Sequence, residues 1–383
     1  MSPKQSLRVA FISGGAIFAA LFALSLRAAT PQAPRSAFTV DASGAADFKS
    51  VQQAVDALPA TGGVIRIRPG VYREQIHVDK PRVTLLGLGK DPSDVILTFD
   101  LSHHDVKTTF GSASTTVTGD DFLAENLTFQ NTFSDEHPEV TVDAQAVALR
   151  VIGDRDVFRH VYILAYQDSL YADSKKCHAT PSPGNTAGAT PAPAVATGAP
   201  FVLPTTPCTA ARQLFTDSVI AGTVDFIFGD ANAAFVRCEI RSRPHQEGTL
   251  TAQSKYYPAE GSAYVFDHCR LTADPGVTNV FLGRPWRPYS TVVFLNTEMG
   301  AQIQPAGWLE WPRNGAPSLA TSFYAEYRST GPGAPIAATK GAAATGPNGT
   351  QRNPNAKILT PAQAAKFAVH RLLRGADNWN PQL

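Results

Sequence analysis

The chain of 383 residues has almost no net charge, four cysteines and very little helical periodicity. Thirty-three Lys and Arg against 32 Asp and Glu leave +1, and charged residues make up 17% of the chain. That balance excludes a nucleic-acid binder working through a broad basic face. Several familiar catalytic signatures are also missing: no G-x-S-x-G elbow, H-E-x-x-H, C-x-x-C, Walker loop or G-x-G-x-x-G occurs. What is present describes a turn-rich globular protein. Hydrophobic residues reach 43%, too many for wholesale disorder, and the 29 Gly and 29 Pro show no collagen-like period.

The N-terminus bears on compartment. Lys4 and Arg8 precede an uncharged apolar run from Val9 to Leu26, followed by small residues at Ala28, Ala29 and Ala33. Residues 1–33 read as a secretory signal peptide, with an uncleaved N-terminal anchor as the alternative. The expected location is therefore secreted or periplasmic. No other stretch is long and apolar enough to span a bilayer. Export permits disulfides among Cys177, Cys208, Cys238 and Cys269.

Residues 34–383 read as one domain. Asp47–Leu58 has Phe48, Val51, Val55 and Leu58 at helical spacing, predicting a short helix. From there to about residue 300, short β-rich runs alternate with Gly, Asp, Asn and Pro. A loose repeat joins them: Phe, two residues, a small or polar residue, one residue, an aliphatic. It occurs as Phe215-Ser218-Ile220, Phe235-Cys238-Ile240, Phe266-Cys269-Leu271 and Phe294-Thr297-Met299, with a weaker copy at Phe158-Val161-Ile163. Strands recurring at this interval predict a solenoid of stacked β coils, whereas a β-sandwich should show turn signals every 8–12 residues. In such a stack Cys238 and Cys269 are neighbours, either as a buried pair of thiols or as a disulfide. Residues 175–211, rich in Ala, Pro, Thr and Gly, read as a loop inserted in one coil and stapled at its base by Cys177 and Cys208. Beyond Gly331 a low-complexity tail leads to one helix over about Thr360–Leu373, with Thr360 as N-cap and Gly375 as the stop.

Four segments are polar where a coiled sheet should be bland: Gln145–Arg150, Tyr166–Tyr171, Gly222–Gly229 and Leu282–Trp286. Gln145 and Gln167 are 22 residues apart and Asp168 and Asp225 are 57 apart. Removing an insertion of roughly 33 residues from the second interval leaves about 24, one coil again. Gln145, Gln167, Asp168 and Asp225 should then stack on one face. Such a patch suits acyl transfer: one ionised Asp as nucleophile, a second kept protonated as acid, amide N–H groups for the oxyanion, and an Arg to hold the nucleophile ionised. The alternative is a polar ladder that satisfies itself inside the coil. His103-His104 has no further ligands nearby in sequence and reads as surface rather than metal-binding.

These segments resemble the pectin methylesterases (pectinesterases), and a bacterial secreted member in particular. The similarity runs from about Phe38 to Trp379 and includes Gly70–Glu74, Ala306–Trp311 and Phe323–Ala334. It implies an all-β fold, a right-handed parallel β-helix with short terminal helices, and hydrolysis of the methyl esters of polygalacturonate. By position, the resemblance implies Asp225 as nucleophile, Asp168 as acid and then base, Gln145 and Gln167 as oxyanion donors, and Arg284 as partner of Asp225. Trp286 is implied as a sugar platform, with Trp308, Tyr171 and Phe228 as aromatic neighbours and Thr109 as a substrate contact. No metal or cofactor is implied. The partner would be methylated pectin, bound by a monomer, with no nucleic acid and no membrane beyond an N-terminal anchor. Ser169 departs from the Thr common in the family, and the 175–211 insertion lies close to the presumed cleft. The alternatives are an esterase or thioesterase of the same fold on another substrate, and a β-helical polysaccharide-binding surface protein.

Overall fold

The computed structural model describes residues 36–174, 210–255, 258–311, 318–335 and 352–383. The N-terminal segment 1–33, Cys177, Cys208, nearly all of the 175–211 stretch and much of the tail after Gly331 lie outside the described residues.

Every strand pairing among the described residues is parallel. Seventeen strands form one wrapped sheet covering two sides of each coil, and seven more form the third side. The chain is a parallel β-helix, and its third side carries the strands Leu149–Val151, Leu170–Ala172, Ile227–Gly229, Gly248–Gln253 and Val280–Gly283.

The sequence repeat has a direct structural meaning. Phe158, Phe215, Phe235, Phe266 and Phe294 pair in register, one per coil, and all are fully buried. Their rings stack at centroid distances of 4.7, 5.0, 4.4 and 4.6 Å. Two residues after each Phe the chain turns from one side of the coil to the next through a single left-handed residue: His160, Asp217, Arg237, His268 and Asn296 all have φ between 49° and 53° or at 55°. That turn carries the following small residue inward, which is why Ser218, Cys238, Cys269 and Thr297 are buried. The aliphatic two places on then faces the core on the second side, as Ile220, Ile240, Leu271 and Met299 do.

Cys238 and Cys269 are free, buried thiols, so the stacked pair and not the disulfide is what the coil holds. Each donates a weak hydrogen bond to a backbone carbonyl of the preceding coil, Phe215 O and Phe235 O.

Both terminal helices are shorter than their sequence patterns. The first spans Val51–Ala57, because Phe48 joins Val40 in a parallel bridge and packs edge-on against Phe38. Ser50 caps it, and Glu74 accepts the Val51 and Gln52 N–H groups at 2.7 and 3.0 Å, satisfying donors that a helix start leaves unpaired. The C-terminal helix is broken into Pro361–Ala364, a 3-10 turn at Ala365–Phe367, and Val369–Leu373. Thr360 is the N-cap, as expected, and forms a capping box with Gln363. The break at Ala368 (ψ 134°) lets Phe367 stack on Phe323 while Val369 and Leu373 pack on Leu214, Ala234 and Val236, two patches that one straight helix would not cover together.

Phe235 stands mid-ladder between two stacked rings. Phe235→Ala should therefore lower unfolding free energy by about 3–5 kcal/mol, the range for a buried Phe truncation, as read by chemical denaturation.

Candidate active site

On the third side of the coil, Leu170, Ile227, Leu250 and Leu282 belong to the core, while Tyr171, Phe228 and Ala252 form a separate apolar cluster with Val147 and Ala113. The register aligns Arg150, Tyr171, Phe228, Ala252 and, one residue past the last pairing, Arg284 in one outward row.

Asp168 and Asp225 each lie two residues before their strands, and Leu170 pairs with Ile227. The two carboxylates thus hold the same place in consecutive coils, one strand spacing of about 4.8 Å apart along the stack. Both occupy left-handed corners, φ 66° and 50°, a conformation that Asp adopts at lower cost than most residues.

Arg284 grips Asp225 through its Nε at 2.9 and 3.2 Å and its Nη2 at 2.7 Å. It reaches back across the intervening coil over Ala252, whose single methyl leaves the path open. Thr249, one coil beyond Asp225, donates its hydroxyl to Asp225 Oδ1 at 2.7 Å and accepts the Asp225 N–H at 2.8 Å. Burial opposes the Arg284 charge, but the hydrogen bonds to Asp225 override it and hold the guanidinium firmly protonated. Asp168 has no such support. Burial first, and then the neighbouring charge of Asp225, push its carboxyl well above the usual carboxylate range. One carboxylate is braced by a guanidinium and a hydroxyl, and its neighbour is biased towards the acid.

These groups line a cleft of about 240 Å³ with Gln145, Gln167, Thr109, Phe228 and Trp286. Trp286 meets Phe228 edge-on at 5.9 Å, and the Arg287 guanidinium lies 4.6 Å from the Trp286 ring centroid.

Two aromatic expectations need correction. Trp308 does not reach the cleft: it is 2% exposed, stacked on Tyr324 at 4.2 Å and packed against Phe294 at the end of the Phe ladder. Tyr171 is also buried, sandwiched between Phe228 and Phe110 at 4.5 and 4.9 Å, and supports the wall rather than forming it. Trp311, not Trp308, joins Trp286 in lining the cleft, with Arg284 4.5 Å from the Trp311 ring centroid. His103, Phe110 and Ala252 complete the lining. Thr249 and Ala252 were within reach of sequence reasoning, since the roughly 24-residue coil interval leads from Asp225 to Thr249. His103, Phe110 and Trp311 carried no such signal, because they sit on segments outside the strand repeat.

The fold and site together are those of a parallel β-helix with a braced carboxylate beside one whose carboxyl is pushed towards its acid form, in a cleft with aromatic walls. The chain matches the Pectinesterase family over residues 37–179 and 205–376 and belongs to it. It is 36% identical to a pectinesterase of Daucus carota over 307 residues, 77% of this chain and 82% of that one. It is 34% identical to a probable pectinesterase/pectinesterase inhibitor of Arabidopsis thaliana over 91% of this chain, and spans 59% of that relative's length. Among solved structures, the pectin methylesterase from carrot aligns with a TM-score of 0.70 at 31% identity, covering 91% of this chain and 96% of that one. The pectin methylesterase PemA from Erwinia chrysanthemi aligns with a TM-score of 0.68 at 27% identity, over 93% and 100%. These likenesses include plant and bacterial proteins and do not single out a bacterial origin.

The raised Asp168 carboxyl carries a stability consequence. A carboxyl that binds its proton more tightly when folded stabilises the fold fully below the unfolded value of about 3.9, and that contribution is lost as pH rises through the folded value. Asp168→Asn should therefore be more stable than wild type at neutral pH, by about 1.4 kcal/mol for each pH unit above about 3.9 over which folded Asp168 keeps its proton, and the gap should close below about pH 3. Urea unfolding across pH measures both ends.

Proposed function

We propose that the chain hydrolyses the methyl esters of polygalacturonate, releasing methanol and leaving free carboxylates on the polymer. The observation that carries this reading is the in-register pair, Asp225 braced by Arg284 and Asp168 pushed towards its acid form, in one cleft with two glutamines. Family membership supports the substrate, as does a solved pectin methylesterase, 27% identical to this chain, in complex with a hexasaccharide.

In this mechanism Asp225 attacks the ester carbonyl carbon, and the carbonyl oxygen takes up the negative charge. Carboxamide N–H groups of Gln145 and Gln167 stabilise that oxyanion. The intermediate collapses by breaking the carbon–methoxy bond, Asp168 gives its proton to the leaving oxygen, and methanol departs. Asp225 is left joined to the substrate acyl group as an anhydride. Asp168, now a carboxylate, takes a proton from water as that water attacks the substrate acyl carbon. The carbon–oxygen bond to Asp225 breaks, Asp225 returns as an anion, and the free galacturonate carboxyl leaves. Arg284 holds Asp225 ionised and aimed throughout, and Trp286 supplies a flat face for a sugar ring. No step calls for a metal or cofactor. Export, with residues 1–33 as a signal peptide, fits a polymer substrate found outside the cell. The protein acts as a monomer in this reading, since all the proposed groups come from one chain.

Asp225→Asn should reduce methanol release from methylated pectin to background while unfolding stays near wild type; substantial residual release would assign the attack to another group. Trp286→Ala should lower kcat/KM on pectin by a factor corresponding to about 1–3 kcal/mol and affect a small soluble ester much less. Equal loss on both substrates would make Trp286 a shaper of the catalytic groups instead of a sugar platform.

A further inference from the structure

The cleft lining includes four ionisable side chains: Asp168, Asp225, Arg284 and His103. Three have defined roles in the proposed chemistry, and His103 has none. Its position is nonetheless well determined. The His103 N–H donates to the Gln145 carbonyl at 2.8 Å, and Nδ1 is hydrogen-bonded to the Thr109 hydroxyl at 3.2 Å. Beneath it, fully buried Ser102 is tied to Asp105 by a 2.9 Å backbone hydrogen bond and a second through its hydroxyl. Among the described residues Nε2 has no hydrogen-bond partner. The ring is half-buried at the wall that also carries Thr109 and Gln145.

Resting on the esterase reading above, we propose that His103 is a specificity residue that, as an imidazolium, binds a free carboxylate on a galacturonate ring next to the methyl ester being cleaved. The reaction itself produces that carboxylate, so the polymer gains anionic rings as it is processed. The charge facing such a ring comes from few groups. Arg284 is committed to Asp225 by three contacts, and both cleft aspartates repel an anion when ionised. On the segment of His103 itself, His104 pairs with Asp105, and Lys107 donates to the His104 carbonyl. Across from it, the Asp143 backbone carbonyl accepts the His104 N–H, with the exposed Asp143 side chain nearby in sequence. The Arg287 guanidinium lies against the Trp286 ring, which also lines the cleft. Among the described residues that line the cleft, the His103 ring is the basic group not paired with a carboxylate, and an imidazole changes charge between about pH 5 and 8. The cleft would favour partly de-esterified pectin in acid and lose that preference as pH rises.

The test compares kcat/KM on partly de-esterified and fully methylated pectin, at pH 5.5 and pH 8, for wild type, His103→Gln and His103→Lys. Wild type should favour the partly de-esterified polymer about threefold more at pH 5.5 than at pH 8, the scale of a partly exposed ion pair. His103→Gln should show the pH 8 ratio at both pH values, and His103→Lys, charged throughout, should show the pH 5.5 ratio at both. The comparison of two substrates on one variant cancels any general loss from disturbing Gln145. A wild type that releases methanol but whose ratio is the same in all three proteins would overturn the assignment of His103 alone. A wild type that releases no methanol from either pectin would overturn the esterase reading and this inference with it.

Discussion

Parallel pairing decides which residue of one coil lies against which residue of the next, and the site depends on that register more than on any single contact. Strands stack at about 4.8 Å, so two side chains at equivalent positions are forced into each other's electrostatic range whatever their chemistry. At most positions the chain meets this with identical apolar groups, as in the Phe ladder. At one corner it places Asp168 against Asp225 instead. Two like charges at that spacing in a cleft cannot both be comfortable, and the structure resolves the conflict asymmetrically. Arg284 and Thr249 support one carboxylate, and burial drives its neighbour towards protonation.

The asymmetry is itself a product of the coil. Asp225 has a following coil that supplies Thr249 directly beside it and Arg284 one coil further on. The same place in the coil before Asp168 is Val147, which offers no polar atom from its side chain. Moving the two functions apart along the solenoid axis thus needs no special loop, only different residues at repeated positions. Ala252 illustrates the economy of this arrangement: its small side chain sits in the outward row between Phe228 and Arg284 and leaves the Arg284 side chain room to cross to Asp225.

The surroundings of the site follow a different logic. Its walls come from segments that leave the coil: residues 103–110 on one side, carrying His103, Thr109 and Phe110, and Trp311 on another. Such segments are free of the register, so they can vary without disturbing the stack, and they are where charge or aromatic faces can be offered to a polymer. The half-buried His103, hydrogen-bonded to Thr109 and Gln145, is a polar group of this kind.

What was legible in the sequence was whatever the coil repeats. The Phe spacing predicted the stacked coils, and the matching places of Cys238 and Cys269 in the repeat predicted that they would be neighbours. The 57-residue interval between Asp168 and Asp225, less the insertion, predicted that they would stack. Resemblance to a family then attached roles to Arg284 and the glutamines, which spacing alone did not. Tertiary structure decided the rest, because those outcomes depend on which neighbour arrives at a position from elsewhere in the chain. Trp308 and Trp311 lie three residues apart, and it was Trp308 to which the resemblance gave a place beside the sugar. The first is drawn into the core by stacking on Tyr324 and the second is left beside Arg284. Tyr171 is polar at its tip yet is covered on both faces by Phe110 and Phe228. The C-terminal helix has an unbroken apolar pattern, but two separate patches on the coil pull it into pieces at Ala368. His103 reads as an ordinary surface histidine until folding brings Thr109 and Gln145 to its side. Periodicity encodes position within a coil; it cannot encode what a non-repeating segment packs against, since that contact is made by residues far away in sequence and chosen by the folded surface they share.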